Sequence, residues 1–312
     1  MPNLEQWVLM IGQAAALLFL APIVSGFSRV LRAKIHSRTG PGLLQDYRDI
    51  LKLLKRQEVV PEGAGFIFRA MPFVLMTALL VIAMALPVLT LASPFNAIGN
   101  LFTLVYLLAL VRFFFSLSGI DSGSTFAGIG ASRETTMGAL MEPVILLALF
   151  VAALLAGSTN LGQISVSFAA LSGTSMAAEL VVTAAVAFAV FVEMGKVPYD
   201  MAEAEQELQE GPLTEYSGPG LALLKWSMSL KQIVMAAILI GVFVPFGAAA
   251  SVTAGALVWA ALVFLVKLAI VFLVVALIEN SAARNRFFMT SRATWAGFGI
   301  ATLALVFYLV GL

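Results

Sequence analysis

The sequence predicts an all-α fold: a polytopic membrane protein with eight transmembrane helices. Three observations carry that prediction. The chain is 61% hydrophobic and 11% charged, and its mean hydropathy is +1.01. Apolar runs of about 18 to 25 residues recur along it, the length an α-helix needs to cross hydrocarbon while satisfying its own backbone. No windows of alternating polarity punctuated by turns appear, which excludes a lipid-facing barrel.

The first run, 7–27, follows Glu5 rather than a basic stretch and shows no small-residue cleavage site, so it reads as an uncleaved span and not a signal peptide. A long polar loop over 28–71 comes next. Its LLQDYRDILKLLKR segment is amphipathic and too polar to span. A helix lying on the membrane surface and a clamp on a soluble partner both fit it. Runs 72–93 and 98–118 give the second and third spans, and a loop over 119–135 holds Arg133. The remaining spans are 136–156, 177–196, 230–247, 253–278 and 293–311, separated on the same side by loops at 197–229 and 279–292. Lys and Arg fall in the loops of one side, and the opposite loops have none. The positive-inside rule makes the basic side cytoplasmic and puts both termini on the other. The whole chain, 1–312, reads as one integral membrane domain without internal repeats.

Charges inside the spans cost about 2.5 to 3.5 kcal/mol each at mid-helix. Arg112, Glu142 and Glu193 lie one or two turns inside the cytoplasmic ends of their helices and are placed to form one ring. Pro143 removes a backbone hydrogen bond beside Glu142, loosening the helix at a protonatable group. Lys231 and Glu179 stand near opposite surfaces, where snorkelling accounts for them. Lys267 sits near the middle of the seventh span, where either a structural pair or a place on an ion route explains it.

Seven of the chain's 17 carboxylates lie in the stretch EMGKVPYDMAEAEQELQEGPLTEYSG, six of them between Lys196 and Lys225. Asp200, Glu203, Glu207 and Glu210 recur at three or four residues and would share one helix face, where like charges repel by a few tenths of a kcal/mol per pair. A solvated charge run is one reading. The other is a packed loop, because Tyr199, Met201, Leu208, Leu213 and Tyr216 interleave with the acids and Pro198, Gly211, Pro212, Gly218 and Pro219 punctuate them. A packed loop needs counter-charge, for which the bases of the first loop are the nearest source, or protons, with carboxyl pKa values raised toward neutrality.

With no Cys and only His36, the chain can form no disulfide, ligate no cluster through thiolates and build no His-based metal site. Any redox chemistry belongs to a partner.

The acidic stretch resembles the loop of the quinone-proximal membrane subunit of respiratory complex I. Glu193, Pro198, Asp200, Glu203, Glu205, Glu207, Leu208, Gly211, Glu215, Tyr216 and Gly218 match in register, with Lys196 in place of Arg. RTGPGLLQDYRDILKLLKRQEV resembles that family's first-loop motif through Arg38, Gly40, Pro41, Leu44, Gln45 and Asp49, and ARNRF before the last helix echoes another element. Three departures separate the branches: Gly42 joins straight to Leu43, Met228 replaces a membrane Glu, and Phe288 replaces an Asp. GASRE, EMGKVPYD, QELQEGPLTEYSG and SLKQ are instead similar to the membrane subunit of energy-converting nickel-iron hydrogenases, the group containing formate hydrogenlyase and hydrogenase-4.

The resemblance implies a non-catalytic subunit in the inner membrane of a prokaryote, surrounded by lipid and binding no nucleic acid. It would dock the nickel-iron hydrogenase large and small subunits and an iron-sulfur protein, and couple their chemistry to antiporter-like membrane subunits that move protons or sodium. The nickel-iron centre and iron-sulfur clusters would sit on those partners, none on this chain. Glu142, Glu193, Asp200, Glu203, Glu205, Glu207, Glu215, Lys267 and Arg112 would form the relay; Arg38, Gly40, Pro41, Arg48, Asp49 and Arg133 would serve docking. Any remnant of the quinone cavity is expected to be apolar and to hold lipid. A quinone-site subunit and a purely structural anchor are the alternatives. A secondary transporter should show paired broken helices in corresponding halves, which the sequence lacks.

Overall fold

A computed structural model describes residues 4–170, 176–202, 204–284 and 290–311, with only the backbone described at 205 and 206. Glu203, Arg286 and Phe288 therefore lie outside the described residues, as does the Glu205 side chain. The helices, in chain order, are α1 (Leu4–Ile35), α2 (Gln45–Leu54), α3 (Phe66–Ala85), α4 (Leu101–Asp121), α5 (Thr125–Ala156), α6 (Leu161–Ala170), α7 (Met176–Glu193), the single turn α8 (Glu205–Leu208), α9 (Gly218–Ile238), α10 (Ala254–Ser281) and α11 (Thr290–Val310). Eight of these are long and apolar enough to cross a membrane, in agreement with the predicted count.

Hydrogen bonds between loops show which of them share an end of the bundle. Ser217 Oγ accepts from Val59 N at 2.8 Å and donates to Val59 O at 2.9 Å, while Asp121 Oδ2 accepts from Phe68 N at 2.9 Å at the start of α3. These contacts gather the first loop, the α4–α5 turn and the acidic segment at one charged end. At the other end Leu91 N donates to Ala249 O at 3.1 Å and Leu101 N to Thr159 O at 2.9 Å.

The predicted boundaries move where hydropathy alone misleads. The second span begins at Phe66 and stops at Ala85 instead of running over 72–93, because Pro87 disfavours a helical residue before it and Leu86 is extended. Gln13 Nε2 holds that end through Ala83 O at 2.7 Å and Leu86 O at 2.9 Å. The expected loop 119–135 is mostly helix: only residues 122–124 separate α4 from α5, whose polar first turns a hydropathy window misses. Similarly, α9 starts at Gly218 with Pro219 in its first turn rather than at 230, since Lys225, Ser227 and Ser229 dilute an otherwise buried helix. It ends in a π-turn over Leu239–Phe243 before Pro245. The ten-residue α6 was not predicted and is too short to span.

The acidic segment is packed, with Met201, Leu208, Leu213 and Tyr216 buried, but it is not the single helix that its carboxylate spacing suggests. Only Glu205–Leu208 forms a turn, followed by a 3-10 turn over Gly211–Leu213. Tyr216 stacks on Phe68 with ring centroids 3.9 Å apart and donates to Phe68 O at 2.8 Å. Burial, mainly, pushes its hydroxyl above the usual tyrosine range, with Asp121 and Glu58 adding to the shift and a Ser118 hydrogen bond opposing it. Gly130 on α5 lets the segment sit close: a Cβ there would lie 2.7 Å from Pro212 Cδ and 2.8 Å from Gly211 Cα.

Candidate functional site

Beneath the acidic segment five ionisable side chains from four helices form a continuous chain. Arg112 of α4 donates from Nη1 to Glu142 Oε1 of α5 at 2.8 Å and from Nη2 to Glu193 Oε1 of α7. Lys231 of α9 lies 3.7 Å from Glu193 Oε2 and 3.9 Å from Glu134 Oε1. The predicted ring of Arg112, Glu142 and Glu193 is thus present in the geometry. Lys231 is a correction, because its ammonium turns inward to the ring instead of snorkelling. Glu134 was not singled out in the sequence, although it sits two turns before Glu142 on the same helix. Gly138, between them, makes room for the guanidinium, since a Cβ there would overlap Arg112 Cδ.

The cluster contains three carboxylates (Glu134, Glu142, Glu193) and two bases (Arg112, Lys231), a surplus of one negative charge. Burial makes that surplus consequential. The Arg112 and Glu193 side chains are only 10% and 7% exposed, whereas Glu142 is 43% exposed on the outer face of α5.

Two cavities link the cluster to the charged end. A small one of about 40 Å³, enough for ordered water, touches Arg112, Glu134, Glu193 and Lys231 and extends to Asp200 and Gln232. Asp200 and Gln232 also line a second cavity of about 700 Å³ between α1, α2, α9 and the end of α10. Its walls carry Arg29, Arg32, Lys52, Lys196, Lys225 and Arg284 against Asp46, Asp49, Asp200, Glu210 and Glu279. This cavity carries charge together with Ile50, Leu53 and Leu213, and so does not match the apolar remnant expected from the sequence. Glu279, absent from the sequence-derived site, is buried in its wall 3.8 Å from Arg32.

The remaining predicted residues divide. Asp200 pairs with Arg284 at 2.8 Å, Glu207 with Arg133 at 2.8 Å and Glu210 with Lys225 at 3.5 Å. Among the described residues these ion pairs draw counter-charge from α5, α9 and the segment before α11, while Arg29, at the start of the expected first loop, pairs with Asp46. Glu215 is half-buried and makes no ion pair among the described residues. Arg133 anchors the segment from within α5 rather than from a docking loop. Arg38, Gly40, Pro41 and Arg48 are exposed at the charged end, while Asp49 accepts from Gln45 Nε2 at 2.9 Å. Lys267 stands apart from every carboxylate named above: its Nζ donates to Val244 O at 2.6 Å and to Phe246 O, capping the carbonyls freed beyond the π-turn. Glu179, expected at the interface, is buried at the start of α7.

An all-helical bundle with an intramembrane ion cluster beneath a packed acidic segment is the form of a membrane subunit of a respiratory-type complex. Over residues 8–310 the chain matches the family described as NADH dehydrogenase, and it belongs to that family. It is 53% identical over 302 residues to hydrogenase-4 component C of Escherichia coli (strain K12), covering 97% of this chain and 96% of that one. It is 52% identical over 294 residues to formate hydrogenlyase subunit 4 of the same organism, covering 94% and 96%. NADH-quinone oxidoreductase subunit 8 of Rhodothermus marinus is more distant, at 28% over 219 residues, covering 65% and 62%. A chain in the structure of the membrane-bound sulfane sulfur reductase, an archaeal respiratory membrane complex, shares the fold with a TM-score of 0.78 at 22% identity, covering 97% and 98%.

Proposed function

We propose that this chain is the membrane subunit on which a nickel-iron hydrogenase module docks, and that it couples the module's redox chemistry to movement of protons or sodium. The observation that carries the reading is the pair of polar cavities, sharing Asp200 and Gln232 in their walls, that lie between the charged end and a buried cluster of three carboxylates and two bases. A redox event at a docked partner changes the field in those cavities, and a proton in the cluster is the mobile charge that answers it. Glu193 and Glu142 carry the relay. Asp200 and Glu207, held in ion pairs, fasten the segment above them, and Glu203, Glu205 and Glu215 are assigned to the path by resemblance alone. Lys267 is reassigned to holding the broken helix.

The high identity to the two hydrogenase-linked relatives favours this branch over quinone reduction. No thiolate is present in the sequence, so the donor set does not fit an iron-sulfur or nickel-iron centre, and those groups belong to partner subunits. Exposed Arg38, after α1, and Arg48, on α2 where it packs against α1 and α9, supply docking charge. The positive-inside rule orients that end to the cytoplasm of a prokaryotic inner membrane.

Purification in mild detergent, with hydrogen turnover measured with and without a quinone-site inhibitor and after nickel starvation, tests the reading. Co-purifying hydrogenase subunits and nickel-dependent, inhibitor-insensitive turnover are expected. Inhibitor-sensitive turnover that needs no nickel would return the chain to the quinone branch.

A further inference from the structure

Glu142 raises a problem that the relay does not solve. It lies 17 residues after the start of α5 and 14 before its end, Thr125 and Ala156, so at about 1.5 Å per residue it sits roughly 21 Å inside the latter end. That depth is within hydrocarbon about 30 Å thick. Intramembrane carboxylates almost always face the bundle interior or a water-filled cavity. Glu142 instead turns 43% of its side chain outward. It lines none of the cavities described above.

The surface beside it is shaped and apolar. Pro143, Leu146 and Phe150 continue an exposed stripe along α5 at helical spacing. With Phe102 of α4 and Tyr308 of α11 they border a groove of about 990 Å³ running toward Thr159. Lipid chains can fill such a groove but cannot solvate the carboxylate of Glu142, which precedes the groove's Pro143 in the chain. The cluster behind Glu142 makes the demand specific, since Arg112 is already shared with Glu193 and the group as a whole is short of one positive charge.

We propose that this groove is the seat of a transmembrane helix from a neighbouring membrane subunit, and that the helix presents a Lys or Arg to Glu142. The cation and a cluster proton would then be alternative answers to the same surplus charge. Approach of the basic side chain expels the proton and its withdrawal lets the proton return, so the groove is where the relay leaves this chain. The inference rests on the reading of the chain as one subunit of a membrane complex, although the groove can be tested whichever soluble module is attached.

The absence of native Cys allows a clean test in the whole complex in native membranes. Single substitutions Leu146→Cys and Phe150→Cys, with Glu142 intact, carry a photoreactive thiol label. Both are expected to give adducts with one integral membrane subunit, mapped by mass spectrometry to a span containing Lys or Arg within a turn of the cross-linked residue. Glu142→Lys is expected to reduce co-purification of that subunit at least tenfold while the soluble module stays bound. Adducts with lipid alone at both positions would overturn the proposal, as would a cross-linked span lacking a basic residue. If hydrogenase subunits co-purify while both labels report lipid, the docking inference fails and the function proposed above stands; if the membrane adduct forms without hydrogenase subunits, the reverse holds.

Discussion

Two regions of this molecule are rich in carboxylates, and they are neutralised differently. In the acidic segment Asp200, Glu207 and Glu210 each have a separate base, contributed by the segment before α11, by α5 and by α9. In the cluster below, Glu134, Glu142 and Glu193 share Arg112 and Lys231. The segment uses charge to fasten a packed loop across helices. The cluster makes three carboxylates share two bases. Pairing near water contributes little, about 0 to 1 kcal/mol per bridge, so the segment's ion pairs select a position more than they stabilise it. A buried pair behaves otherwise when one partner is removed.

Arg112→Met and Arg133→Met put that difference to the test. Loss of Arg112 leaves Glu142 and Glu193 without their shared guanidinium and should cost about 3 to 5 kcal/mol, seen as a large fall in membrane-inserted subunit and in thermal stability. Arg133→Met, at a half-exposed pair, should cost about 1 kcal/mol or less. Equal losses would erase the distinction. Lys267→Met sharpens it with a third kind of charge, a cation bound by carbonyls. The change should lower stability by about 1 to 3 kcal/mol, because it strips the Val244 and Phe246 carbonyls of their donor, and the complexes that do assemble should couple normally. Normal stability with lost coupling would return Lys267 to the ion route.

A comparably small effect belongs to the segment's apolar latch. Tyr216 has its folded-state pKa raised, so the buried neutral hydroxyl contributes stability that is fully present below the unfolded value of about 10 and is lost as pH rises through the folded value. Protease access to the segment should therefore increase above roughly pH 10. Tyr216→Phe should remove that pH dependence at a cost of about 0.5 to 1.5 kcal/mol for the hydrogen bond to Phe68 O.

Much of the fold was legible because length and hydropathy alone decide which segments can cross hydrocarbon. Boundaries were less so: the beginnings of α5 and α9 pack one face, Ala127, Gly130 and Ala131 on α5 and Gly220, Ala222 and Leu224 on α9, against neighbouring segments, and no window over one segment contains that information. Within the site, Arg112, Glu142 and Glu193 stood out because charge inside a span is costly. Lys231 and Glu134 did not, since a charge near a helix end has snorkelling as an equally cheap outcome, and only the Gly138 notch and the packing of α9 turn both inward. The acidic spacing suggested one helix face; Gly211, Pro212 and the bases on three other elements break it into turns. Lys267 looked like a relay group because the sequence does not show that a π-turn leaves carbonyls beside it.

The central claim, that the cluster exchanges a proton while the segment's carboxylates stay paired, is tested most directly by redox-difference infrared spectroscopy of the purified complex. Oxidation and reduction of the docked module should make a carboxylic-acid C=O band appear or disappear. The band should be lost in Glu142→Gln or Glu193→Gln and remain unchanged in Glu207→Gln. A difference spectrum with no carboxylic-acid band, or one that only Glu207→Gln removes, would contradict the account.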